Sequence, residues 1–478
     1  MKREYSLLHN LGKLAAALSV AFAVSQAQAA MQWWDLNGTD TGAGGPSPSG
    51  VWDTTTANWT PGGSSVGTAA TTTWVQANTA IFSAGIPYPG DSTGDYTITV
   101  ADGIQVRNLR LYSGSGTGGG STITFTGGSI NMIGSVAGNF YVHSTGPQYV
   151  NVYSAISSDT ANGLNLSRGA GNPVVTIYNP ANSFFGTVNI RSTGMTLKMG
   201  AAGVIPTAVT SLASAGGGGI LDLNGFSTAF DTAIGNVVIN NLNAGQSFTI
   251  RNPAGETYSG AISGAGDVIK NGAGTITFSG NSTGFSGTVD VNAGTLGLTS
   301  TAGLGSGTID LNGGALDVAG YTLGGSTKLT GNGTIAGTAM TANGTMTPGY
   351  AGTIGSFSAG TVALTLGGTL NMDIDAATDT ADKISALSIA EGGTLNIQNI
   401  AGMLALGDTF DLFDGALSST FSLINTPSLS DPDWYWDVTG LDAGGDGSIV
   451  VALVPEPSTA VCLGLGVAAM LILRRRKA

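Results

Sequence analysis

Residues 272–318 read GAGTITFSGNSTGFSGTVDVNAGTLGLTSTAGLGSGTIDLNGGALDV. Five blocks in this stretch open on glycine: GTITF at Gly274, GTVDV at Gly287, GTLGL at Gly294, GTIDL at Gly307 and GALDV at Gly314. The steps between them are 13, 7, 13 and 7, a full period of 20 residues. Each block puts apolar side chains two and four places after its glycine: Ile276 and Phe278, Val289 and Val291, Leu296 and Leu298, Ile309 and Leu311, Leu316 and Val318. Alternation with period two marks a strand with one buried face. A single 20-residue unit cannot bury that face alone, whereas stacked units can, each pairing its backbone with the coil above and below. The spacing therefore predicts a β-solenoid. The alternative is a sandwich of hairpins, since Asn-Gly also makes hairpin turns; the alternating 13/7 step favours coils.

The pattern extends upstream. GTVNI at Gly186 echoes GTVDV, and GILDLNG at Gly219 echoes GTIDLNG at Gly307. Asn224-Gly225 and Asn312-Gly313 suit corners that need positive φ. If residues 100–370 are all coil, about 13 turns make a rod ~65 Å long.

Composition agrees. The chain has 478 residues, 77 of them glycine, and only 9% are charged, against about 25% in a typical domain. One glycine in six excludes a coiled coil or a helical enzyme, because each helical glycine costs about 1 kcal/mol against alanine.

The stretch 272–318 resembles the autotransporter-associated β-strand repeat, with Phe285 in the aromatic place and Asn292, Ala293, Gly294, Thr295 and Leu296 as its last element. The resemblance implies a right-handed parallel β-helix on the cell surface. TMTPG at 345–349 and GDTFDLFDG at 407–415 are similar to the closing elements of such proteins. The family places a membrane barrel after these; here a different tail stands there, so self-export is not expected.

Both termini carry signals. Lys2, Arg3 and Lys13, an apolar run at 14–24 and Ala27-x-Ala29 predict a signal peptide cut between Ala29 and Ala30. The last residues, VPEPSTAVCLGLGVAAMLILRRRKA, hold Pro455, Glu456 and Pro457, an apolar run from Ala460 to Leu473, and Arg474, Arg475, Arg476 and Lys477. The run predicts a short transmembrane helix with its basic end cytoplasmic. This tripartite tail resembles the PEP-CTERM sorting signal of Gram-negative bacteria. The resemblance implies a membrane exosortase as partner and delivery to the outer surface or the exopolysaccharide matrix, after a transient stay in the inner membrane.

Seven of the 16 basic residues and two of the 29 acidic ones lie in these two ends, so the body between them holds nine bases against 27 acids. A net charge of −18 disfavours nucleic acid and anionic membranes and suits divalent cations. The lone cysteine, Cys462, lies in the tail, so the body has no disulfides.

Five tryptophans (33, 34, 52, 59 and 74) precede the repeats and two (434 and 436) follow them. They read either as caps over the open ends of an apolar column or as a sugar-stacking platform. A single histidine, His143, lies in the body, which argues against a His-based metal site or a catalytic triad. Two acid clusters, Asp373, Asp375, Asp379 and Asp382, then Asp431, Asp433, Asp437, Asp442 and Asp446, invite comparison with glycosidase carboxylates, with Lys383 the nearest base. Solvated loop acids are the plainer reading, with structural calcium second.

The expected organisation is a signal peptide at 1–29, a Trp-rich cap at 30–99, a β-helix at 100–365, closing strands and cap at 366–453, and the sorting tail at 454–478. The expected function is a non-enzymatic surface or matrix solenoid, structural, adhesive or exopolysaccharide-associated, without cofactor or catalytic residue. The alternative is a β-helix lyase or glycosidase acting on polysaccharide.

Overall fold

The computed structural model describes residues 30–62, 67–82, 94–112, 121–134, 138–143, 149–159, 163–169, 171–214, 218–233, 235–299, 304–318 and 321–455. The chain is an all-β solenoid of right-handed type with about 12 turns. Among the described residues the only helical element is one 3-10 turn, Thr439–Leu441. The chain divides into two compact units, one ending at Asn224 and one beginning at Gly225.

In the first unit the coils stack two long, largely parallel sheets, and three of them add a strand to a third. Asn108–Tyr112, Gly138–His143 and Leu164–Arg168 stack in one sheet, and Thr122–Gly127, Tyr149–Val152 and Val174–Ile177 in the next. Ile104–Val106, Ser129–Met132 and Ala155–Ser158 form the third. The Trp-rich segment already belongs to this scheme, since Met31–Trp34 pairs in parallel with Thr79–Phe82. Turns here are longer than the repeat suggests: Asn108 faces Asn139, Tyr149 faces Val174, and Leu164 faces Val188. Extra residues enter at the corners, where they leave the in-and-out alternation of the strands intact.

The second unit carries the 20-residue period in full. Thr275 faces Thr295, Thr288 faces Thr308, Thr295 faces Ala315, and Thr308 faces Lys328. The expected inward pairs meet in columns: Ile276 on Leu296 on Leu316, and Val289 on Ile309 on Leu329, all buried. Lys270, 1% exposed, also points inward; its ammonium donates to the carbonyls of Gly272 and Ala293 at a corner, so the buried charge is hydrogen-bonded. Asparagines ladder along that corner: Asn292 Nδ2 donates to Asn271 Oδ1 at 2.8 Å, and Asn312 Nδ2 to Asn292 Oδ1 at 3.0 Å. Gly294 takes φ +67°, and a Cβ there would fall 2.4 Å from the carbonyl oxygens of Gly272 and Gly274. Glycine is the residue that fits so close a backbone approach.

Later turns lengthen again, with Thr369 opposite Thr394 and Leu395 opposite Ile424. The parallel ladder runs to Leu423–Asn425. A three-stranded antiparallel sheet, Thr409–Asp411, Ser448–Leu453 and Trp434–Asp437, then closes this unit over buried Phe410, Leu412, Ile449 and Val451.

Candidate functional site

The tryptophans settle first. Trp33, Trp34, Trp52, Trp59 and Trp74 are all buried. Trp52 sits 5.3 Å, centroid to centroid, from both Trp59 and Trp74, and Trp34, Trp52 and Trp59 surround Phe82. The Trp34 indole donates to Pro48 O at 2.8 Å. Trp34, Trp52, Trp59 and Trp74 fill the interior of the first turns, and Trp33 packs in a separate cluster with Ala43, Ile81 and Tyr112, so none of the five offers a face to a sugar. Trp434 and Trp436 are half-buried, and Trp436 Nε1 donates to Pro427 O at 2.9 Å.

The acid clusters divide into two kinds. Asp375, Asp431, Asp437 and Asp446 accept hydrogen bonds from backbone N–H groups two residues on, which is turn chemistry. Asp379 sits in a left-handed conformation and Asp442 follows the 3-10 turn. Asp373 and Asp382 are buried. Asp382 accepts from Gly355 N at 2.7 Å and Asp373 N at 2.8 Å, and Asp373 accepts from Gly352 N at 2.6 Å. Burial, ahead of its other contacts, pushes the Asp382 carboxyl up to about 7. Together they clamp the turn Tyr350–Gly355. Lys383 is engaged elsewhere, donating to Asp411 Oδ2 at 2.6 Å.

That turn presents Tyr350 to an acid pair outside both sequence clusters. Gly349 bridges back to Gly331 through two hydrogen bonds of 2.7 and 2.8 Å, and the Tyr350 phenol donates to Asp310 Oδ1 at 2.9 Å. Asp310 lies in register with Asp290 on the preceding coil. Burial, then the charges of Asp267 and Asp310, push Asp290 up to about 6. Burial also raises Asp310, against the Tyr350 hydrogen bond, while Tyr350 itself is pushed up to about 12. The signal was present: both acids occupy the fourth place of glycine-led blocks 20 residues apart, GTVDV and GTIDL. Density of acids along the chain is a poor guide here, because a solenoid gathers acids spaced by one turn.

Among the described residues no group of three or more His, Cys, Asp or Glu side chains could hold a metal ion. His143 ends the strand Gly138–His143. Of the terminal residues, Ala30 and Pro455 are exposed. Ala29, Glu456, Pro457, Arg474, Arg475, Arg476, Lys477 and the expected transmembrane helix lie outside the described residues. No helix among the described residues is long and apolar enough to cross a membrane.

The fold thus defines an all-β solenoid with a filled apolar interior and a few buried, hydrogen-bonded charged groups. A family model described as the PEP-CTERM protein-sorting motif matches residues 453–477. That motif implies an exported, surface-sorted protein handled by an exosortase-type system. None of the curated proteins compared with the chain matches it.

Proposed function

We propose that this chain is a non-enzymatic scaffold of the cell surface or extracellular matrix, structural or adhesive and associated with exopolysaccharide. The sorting motif at 453–477 carries the reading. The stacked coils support it, because a ladder of backbone pairs around an apolar column gives a stiff element. The resemblance of residues 272–318 to autotransporter-associated repeats points the same way. In this reading the signal peptide ends at Ala29, and the tail's apolar run holds the protein in the inner membrane until an exosortase acts near Pro455, Glu456 and Pro457. Replacing those three residues by alanine should leave the full chain in the membrane fraction of its host. Release to the surface at the wild-type level would overturn the assignment.

One observation favours a second reading, a glycosidase or lyase of the β-helix type. Asp290 and Asp310 face outward on consecutive coils, and Asp290 is held near 6, the range of a general acid.

A further inference from the structure

The exposed aromatics of the first unit lie on its second sheet. The outward residues there are Thr97 and Thr99, then Thr124 and Thr126, then Asn151, then Thr176, coil by coil in register. One step beyond these strands the ladder continues through Tyr153 N to Phe125 O at 2.8 Å, Tyr178 N to Val152 O at 2.9 Å and Gly200 N to Ile177 O at 2.8 Å. Thr99, Thr126, Tyr153, Tyr178 and Gly200 therefore form one outward column.

The two tyrosine rings stack with centroids 4.3 Å apart and planes 7° apart. The far face of Tyr178 is closed, because its ring leans over Gly200: a Cβ at Gly200 would fall 2.4 Å from Tyr178 Cδ1. Tyr153, 46% exposed, is held from behind, since Asn179 Nδ2 donates to its carbonyl at 2.8 Å. Its other face looks along the column towards Thr126 and Thr99, short side chains that make a floor in front of an aromatic wall. Thr124 and Asn151 lie beside that floor. On later coils of the sheet Lys198 and Asp222 stand 3.8 Å apart, and Asp95 accepts from Thr122 N at the start of the strand that carries Thr124 and Thr126.

We propose that this step is a binding site for a neutral polysaccharide. A pyranose ring packs its C–H face on Tyr153 over Thr126, and Thr124, Thr126 and Asn151 hydrogen-bond its hydroxyls. The acidic body repels an acidic polymer, and the step itself carries no unpaired charge to attract one. The proposal rests on the matrix reading and names the class of polymer; the five early tryptophans, being buried, are not its platform.

The test is native affinity electrophoresis of the full chain in non-ionic detergent. The gels contain hydroxyethylcellulose, dextran, galactomannan or alginate. The wild type should be retarded by at least one neutral polymer and not by alginate. Tyr153→Ala should weaken that retardation about five- to tenfold, whereas Tyr153→Phe, which keeps the ring, should stay within about twofold. Thr126→Asp, an outward change that leaves Tyr153 in place, should also weaken it, and circular dichroism of each variant should match the wild type. Retardation by alginate alone, by no neutral polymer, or equally for wild type, Tyr153→Ala and Thr126→Asp would overturn the site. Matrix localisation in the host is read separately: a matrix protein blind to neutral polymers loses only the site, and a binder found outside the matrix loses only the broader reading.

Discussion

Tyr350 donates its phenolic hydrogen to Asp310, 40 residues earlier in the chain, at 2.9 Å. The contact exists because Asp373 and Asp382, from later strands, hold the turn that carries Tyr350. Three segments far apart in sequence thus meet, with the acids that hold the turn buried beneath it.

This arrangement sets a pH dependence. Asp290 is raised to about 6 and Asp382 to about 7 from an ordinary value of 3.8, both chiefly by burial. Between 3.8 and these values the folded state binds more protons than the unfolded one, so stability falls as pH rises through that window. Thermal unfolding should show a higher midpoint at pH 5 than at pH 8. Asp290→Asn should raise the midpoint at pH 8 and shrink the difference. A midpoint that climbs steadily from pH 5 to 8 would contradict this account.

The interior tolerates no charge without partners. Val289→Lys or Leu296→Lys would bury an ammonium among Val, Ile and Leu, at a cost of several kcal/mol. Either variant should lose its cooperative melt or its solubility. Thr288→Lys, one residue away but outward and in register with Thr308, should change stability by no more than about 0.5 kcal/mol. Equal effects at positions 288 and 289 would show that the alternation is not what holds the coil.

The corner glycines should differ among themselves. Gly294→Ala forces a Cβ against two carbonyl oxygens at positive φ and should destabilise by more than about 1 kcal/mol. Gly360 has open space around the position of a Cβ and no positive φ, so Gly360→Ala should be neutral or slightly stabilising. Denaturant melts of the two variants make the comparison.

The enzymatic reading has its own test. If Asp290 and Asp310 work as an acid pair, the purified chain should release reducing ends or unsaturated products from some polysaccharide, and Asp290→Asn with Asp310→Asn should abolish this. The scaffold reading expects no product from neutral or acidic polymers with either protein, even where the wild type is retained.

Much of the fold was legible in the residues. Gly-Thr-apolar-x-apolar blocks at alternating steps of 13 and 7 determined both the strands and their stacking, because a buried face recurring every 20 residues has few other ways to find a partner. The same blocks fixed which side of each strand is inward. Low charge and abundant glycine pointed to the all-β class, and the sorting motif at 453–477 to export, since composition and short linear motifs need no tertiary contact to be read.

The neighbours across coils belong to the tertiary structure. In the first unit the turn length varies from one coil to the next, so register there depends on loop residues that carry no periodic signal. That is why Tyr153 and Tyr178 show no relation in the sequence yet stack face to face. Burial of the five early tryptophans was likewise decided by packing, because an indole suits a cap and a sugar platform equally well until its neighbours are in place. Asp290, Asp310 and Tyr350 make the point at its sharpest: the two acids share a block position, but only the clamped turn brings the phenol to them.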